Sequence, residues 1–120
     1  MAHILFVDDD ADLVELVSLR LRSCGHEVTA VGSVDAARNA LAAHSDVDLV
    51  VVDRTMPGRS GADLLRGLRA EGSTPQVLML TARDREHGPE DGRTPGAEDC
   101  MTEPFTPDEL ATRIISLLAC

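Results

Sequence analysis

Asp8, Asp9 and Asp10 follow directly on the apolar run at residues 4–7, and Asp12 stands close behind. Carboxylates gathered at one point repel one another, so their delivery to one spot by a greasy segment asks for a purpose. Asp53 ends a second apolar run, "DLVVVD", and Thr81 ends a third, "QVLMLT". In an open parallel sheet, ligands collect outside the carboxyl ends of the strands. If these three runs are neighbouring strands, Asp8, Asp9, Asp53 and Thr81 converge there. Three converging carboxylates need a cation, and hard oxygen donors with room for water suit Mg²⁺. With the charge offset, Asp53 can attack a phosphoryl group as a nucleophile. A hydroxyl at Thr81 can bond a phosphoryl oxygen. The loop "RTMPGRSG" behind Asp53 is placed to lend a backbone carbonyl to the metal, and Arg54 and Arg83 flank the pocket.

The elements that must position these residues are legible in the periodicity. "HILFV" reads as a buried strand. The helix after it sets Leu13, Val17, Leu21 and Cys24 on one face, with Asp10 as its N-cap and Gly25 at its end. "EVTAV" is a half-buried strand. Ser33 caps a second helix with Val34, Ala37 and Leu41 on its apolar side. "DLVVVD" is buried on both faces, as its unbroken run requires. "GADLLRGLRA" is a third helix, "QVLMLT" a fourth strand and "EDCMT" a weak edge strand. Thr106, Pro107 and Glu109 form a capping box with proline at the first helical position, opening a last helix striped by Leu110, Ile114 and Leu117. Strands alternating with helices predict a parallel sheet with right-handed crossovers. Residues 83–96 break the pattern. They carry Gly88, Pro89, Gly92, Pro95 and Gly96 where a crossover helix belongs, so the prediction there is loop or a single turn.

The chain has 120 residues, of which 43% are hydrophobic and 27% charged, which predicts one globular domain over residues 1–120. The net charge of −10 argues against direct nucleic-acid binding and against anionic membranes. Cys24, Cys100 and Cys120 are odd in number and far apart, and His3, His26, His44 and His87 show no metal spacing. No apolar run approaches a membrane span and nothing at the start reads as a signal peptide, so a cytoplasmic protein is expected. One enzyme class, a calcium site and a flavin site are excluded by residue type. Phosphatases of the haloacid dehalogenase type want a threonine where Asp12 stands. An EF-hand needs glycine and glutamate where Leu13 and Leu19 stand. A flavin site needs stacking aromatics, and the chain has only Phe6 and Phe105.

"ILFVDDD", "DLVVVDRTMPGRSG", "VLMLTA" and "GAEDCMTEPF" occur in the order and at the spacing of a receiver domain of a two-component response regulator, which the chain resembles over essentially its whole length. The resemblance implies a flavodoxin-like, doubly wound, five-stranded parallel α/β sheet in the order 2-1-3-4-5, in which the glycines and prolines of residues 83–96 would degrade the fourth helix to loop. It implies a signalling role rather than an enzymatic one. Asp8 and Asp9 match the acidic pair that holds Mg²⁺. Asp53 matches the phosphoacceptor, and Thr55 matches the position whose carbonyl binds the metal. Thr81 matches the switch hydroxyl, and Pro104 the proline after a cis peptide bond. A sensor histidine kinase or a phosphotransfer protein is the implied phosphoryl donor.

Three features depart from that family pattern. Glu103 stands where the family has a lysine that pairs with the phosphoryl group. Cys100 stands at the usual aromatic position, and the crossover helix is missing. These departures predict impaired phosphorylation, with Arg83 as a candidate replacement for the lost positive charge. They also support an alternative, a phosphorylation-independent pseudo-receiver acting as an interaction or dimerisation module. Without the crossover helix, the face around Val77, Met79 and Met101 is expected to be partly bare. It would take a second copy or an effector partner along the fourth strand, fifth strand and last helix.

Overall fold

The computed structural model describes residues 2–44, 46–53, 61–70, 75–81, 99–102 and 105–118. Their elements run β1 (His3–Val7), α1 (Ala11–Ser23), β2 (Glu27–Val31), α2 (Val34–Ala43), β3 (Leu49–Asp53), α3 (Gly61–Ala70), β4 (Gln76–Thr81), β5 (Asp99–Thr102) and α4 (Pro107–Leu118). The strands pair in parallel in the order β2-β1-β3-β4-β5. The doubly wound topology expected from the alternation is therefore present. Residues 83–96, where a loop is expected in place of a crossover helix, lie outside the described residues.

The central strands show why the apolar runs are continuous. All five residues of β1 are buried, as are the first four of β3. Successive side chains point to opposite faces, and both faces are covered. Leu5, Val7, Val50, Val52, Val77 and Met79 pack with Val34 and Ala37 of α2 and with Leu64, Leu65 and Leu68 of α3. Ile4, Phe6, Leu49, Val51, Leu78 and Leu80 pack with Val17 and Leu21 of α1 and with Leu110, Ala111 and Ile114 of α4. The result is a three-layer sandwich with one core on each side of the sheet.

Each predicted helix end is closed by the group expected for it. Asp10 Oδ1 accepts from the Leu13 N–H at 3.2 Å, and Ser33 Oγ accepts from Ala36 N–H at 3.1 Å. At the start of α4, Glu109 N–H donates to Thr106 Oγ1 at 3.0 Å and Thr106 N–H donates to Glu109 Oε1 at 2.8 Å. These bonds satisfy donors that the first helical turn leaves without partners. The end of α1 is a Schellman closure. Gly25 N–H donates to Arg22 O at 3.0 Å and His26 N–H to Leu21 O at 3.1 Å, with Gly25 at φ +91°. An Arg20–Asp108 ion pair adds a surface tie between α1 and α4.

Two packing expectations are corrected. Val77 and Met79 are fully buried rather than partly bare, because they belong to the core side that the leucines of α3 cover, and Met101 is half-buried against the core on the opposite side of the sheet. Cys24 is exposed rather than part of the α1 apolar face, because it is the residue on which the helix ends. Among the described residues, the exposed large hydrophobic side chains are Leu16 and Leu19 of α1. They border a shallow groove with Ser23, Thr106 and Pro107.

Candidate functional site

The parallel register carries the aspartates to one edge. Val7 lies opposite Val52, so Asp8 leaves β1 beside the point where Asp53 ends β3. Asp53 lies opposite Leu80, so the backbone of Thr81 ends β4 at the same edge. One carboxylate oxygen from each of Asp8, Asp9 and Asp53 lies within 4.8 Å of the other two. Asp8 is buried, Asp53 half-buried and Asp9 exposed, so the cluster opens to solvent on one side.

Asp8 is held firmly. Its N–H donates to Val31 O at 3.1 Å, extending the β1–β2 ladder past the last strand residue. Its Oδ1 accepts from Asp10 N–H at 2.9 Å. Asp10, by contrast, turns away to cap α1. The run of three aspartates thus divides its labour, with the third closing the helix and the first two facing Asp53. Burial pushes the Asp8 carboxyl up to about 6. The Asp10 N–H bond opposes the rise, and the charges of Asp53, Asp9 and Asp10 add to it. A carboxylate held partly against its own ionisation beside two others is a site that gains from a cation. The all-oxygen donor set and the open side fit a hard divalent ion that keeps several waters.

The sequence matches the response regulator receiver domain family over residues 4–115. The chain belongs to that family. A curated relative of this receiver, the response regulator protein PmrA of Pseudomonas aeruginosa, is 42% identical over 96% of this chain and 52% of its own length. The receiver spans about half the length of the curated relatives it matches. Among solved structures, the Francisella response regulator 1452 receiver domain superposes with a TM-score of 0.82, at 28% identity over 98% of this chain and 96% of that one. The response regulator TrrA of Thermotoga maritima, solved in complex with Mg²⁺–BeF, gives 0.79 at 27% identity, covering 98% of this chain and 99% of that one. The same TrrA has also been solved in complex with the histidine kinase ThkA. The receiver therefore acts in two-component signal transduction, as a signalling module.

Of the residues singled out in the sequence, the described part of this receiver brings together Asp8, Asp9 and Asp53. It places the backbone of Thr81 at the same edge and pairs the backbone of Cys100 with Met79. Arg54, Thr55, Arg83, Glu103 and Pro104 lie outside the described residues, as do the side chains of Thr81 and Cys100.

One grouping was missed. The histidines read as scattered, yet His3, His44 and Asp46 each offer a ligand atom within 4.8 Å of the others, at the amino end of the sheet. The available signal was topological. A residue opening β1 and residues just before β3 share one edge when those strands are parallel neighbours. The backbone bond from Asp48 N–H to His3 O, at 2.8 Å, records that adjacency.

Proposed function

We propose that this receiver is a Mg²⁺-dependent phosphoacceptor whose phosphorylation at Asp53 is impaired. The observation that carries the proposal is the grouping of Asp8, Asp9 and Asp53 at the carboxyl edge of β1 and β3. Asp8, Asp9 and Asp53, with the carbonyl of Thr55, would hold the metal. Bound there, Mg²⁺ supplies charge neutralisation for the incoming phosphoryl oxygens. Asp53, half-buried and ending its strand, presents a carboxylate oxygen to phosphorus. The donor is a phosphohistidine of a sensor kinase or phosphotransfer protein. The Asp53 oxygen–phosphorus bond forms as the histidine nitrogen–phosphorus bond breaks, and the released imidazole takes up a proton. Thr81 would contact a phosphoryl oxygen. The TrrA complexes with Mg²⁺–BeF and with ThkA support the cofactor and the class of partner.

The impairment is argued from charge. Glu103 puts an anion where the family pattern has a lysine. At roughly 5 Å and an effective dielectric near 20, that exchange disfavours a phosphoryl group by several kcal/mol. Arg83 and Arg54 are the nearby cations in the sequence that can offset part of it. Glu103 and Cys100 also favour a second reading, a pseudo-receiver that works without phosphate. In that reading a second copy or an effector docks along β4, β5 and α4, where Met101 and Phe105 are half-buried.

Incubation with acetyl phosphate and Mg²⁺, followed by intact mass measurement, separates the two readings. The expected result is a short-lived, substoichiometric phosphoryl adduct, absent in Asp53→Asn and raised in Glu103→Lys. Absence of any adduct in both the native chain and Glu103→Lys would leave the interaction module as the function.

A further inference from the structure

We propose that His3, His44 and Asp46 form a transition-metal site, Zn²⁺ by class, at the pole of the sheet opposite the acidic pocket. His3 and Asp8 stand at the two ends of β1, roughly 16 Å apart at the rise of a parallel strand, so the two sites do not share ligands. Their chemistry also differs. Three carboxylates suit a hard cation, whereas two imidazoles and one carboxylate suit the borderline metals of the zinc group.

The geometry is close to what such an ion needs. Tetrahedral Zn²⁺ with ligands at about 2.1 Å sets them roughly 3.4 Å apart. His3 Nδ1 and Asp46 Oδ1 already stand 3.1 Å apart. His44 offers a ring nitrogen within 4.8 Å of a ligand atom of each of the other two residues. The His44 ring meets that of His3 edge-on, with centroids 5.4 Å apart and an interplanar angle of 84°. His44 and Asp46 are exposed, so rotation of their side chains closes the gap and leaves the remaining position to water.

A second observation points to a ligand role. His3 is buried, with 5% exposure, and its other ring nitrogen, Nε2, lies 2.7 Å from Thr29 Oγ1. Ligating histidines are characteristically oriented by such a partner on the nitrogen that does not bind metal. Its main chain is fixed too, since His3 N–H donates to Asp48 Oδ2 at 2.9 Å. In the neutral, metal-free ring the Asp46 carboxylate, an acceptor only, calls for Nδ1–H, which leaves Nε2 to accept from the Thr29 hydroxyl. Metal binding exchanges the tautomer, with Nε2–H donating to Thr29 and the Nδ1 lone pair turned to the ion. Bound metal would fasten the start of β1 to the α2–β3 connection.

The test is a Zn²⁺ titration of the full chain in excess Mg²⁺, which occupies the acidic pocket, followed by NMR of the histidine ring protons and carbons. The ring signals of His3 and His44 should move together and saturate at one Zn²⁺ per chain, with His3 changing tautomer. His44→Ala and Asp46→Asn, both at exposed positions, should each weaken that binding at least tenfold while melting normally in chelator. The proposal is overturned if Zn²⁺ moves only His26 or His87, if binding is equally tight in both variants, or if no ring signal moves.

Discussion

Asp8 serves two opposed demands at the scale of a single residue. Its buried position gives a metal a fixed ligand, and the same burial raises its carboxyl to about 6, so the ionised form destabilises the metal-free fold. Asp8→Asn tests both at once. The amide keeps an acceptor for the Asp10 N–H and removes the charge. In chelator at pH 8, the urea midpoint should rise, by an equivalent of about 1–3 kcal/mol. Mg²⁺ affinity should fall at least tenfold in the same protein. A variant less stable than the parent in chelator would show that the carboxylate is not held against its ionisation. The Asp8 cluster was legible because three apolar runs each end in an oxygen-bearing side chain, and a parallel sheet has one functional edge. The grouping of His3, His44 and Asp46 was not legible. Its members come from the start of one strand and from the connection before another, and no spacing along the chain joins them.

Among the elements, those with strong local punctuation were the ones readable in advance. The limits of α3 and β4 agree with the sequence segments because the leucines at 64, 65 and 68 and the run at 76–81 have unambiguous periods. The exposure of Val77 and Met79 was misjudged for a physical reason. Loss of a crossover helix after β4 would uncover its outer face only if nothing else lay there, whereas Val77 and Met79 pack against Leu64, Leu65 and Leu68 of α3. Cys24 was misplaced by extending the α1 stripe one residue past its closure. That closure yields a prediction. Gly25 sits at φ +91° with nothing within 4 Å of where a Cβ would stand, so only backbone conformation penalises a side chain there. Gly25→Ala should therefore destabilise by about 1–2 kcal/mol, measured by urea unfolding, and Gly25→Asn by less. Equal stability of the alanine variant would mean that the α1–β2 turn re-forms in another conformation.

The whole molecule carries a net charge of −10 and holds its carboxylate pocket at one end of the sheet. The Asp8 contribution to stability and the increment from Mg²⁺ should therefore respond to pH in opposite senses. Asp8 is raised from 3.8 to about 6, so the folded state binds this proton more tightly than the unfolded state does. The contribution is fully present below about pH 4 and is lost as pH rises through 6, a change of about 1–3 kcal/mol. Mg²⁺ binds the ionised form. Its stabilisation, which grows as RT ln(1 + [Mg²⁺]/Kd), should be small at pH 5 and reach a plateau above pH 7. Melting temperatures at pH 5 and pH 8, with Mg²⁺ and with NaCl matched in ionic strength, provide the measurement. The salt control is essential, because a chain this acidic is stabilised by any screening of its self-repulsion. A Mg²⁺ increment that exceeds the NaCl increment only at pH 8, and that shrinks in Asp8→Asn, identifies the pocket as its source. Equal increments for the two salts at both pH values would assign the response to diffuse charge and remove the case for a metal at Asp8, Asp9 and Asp53.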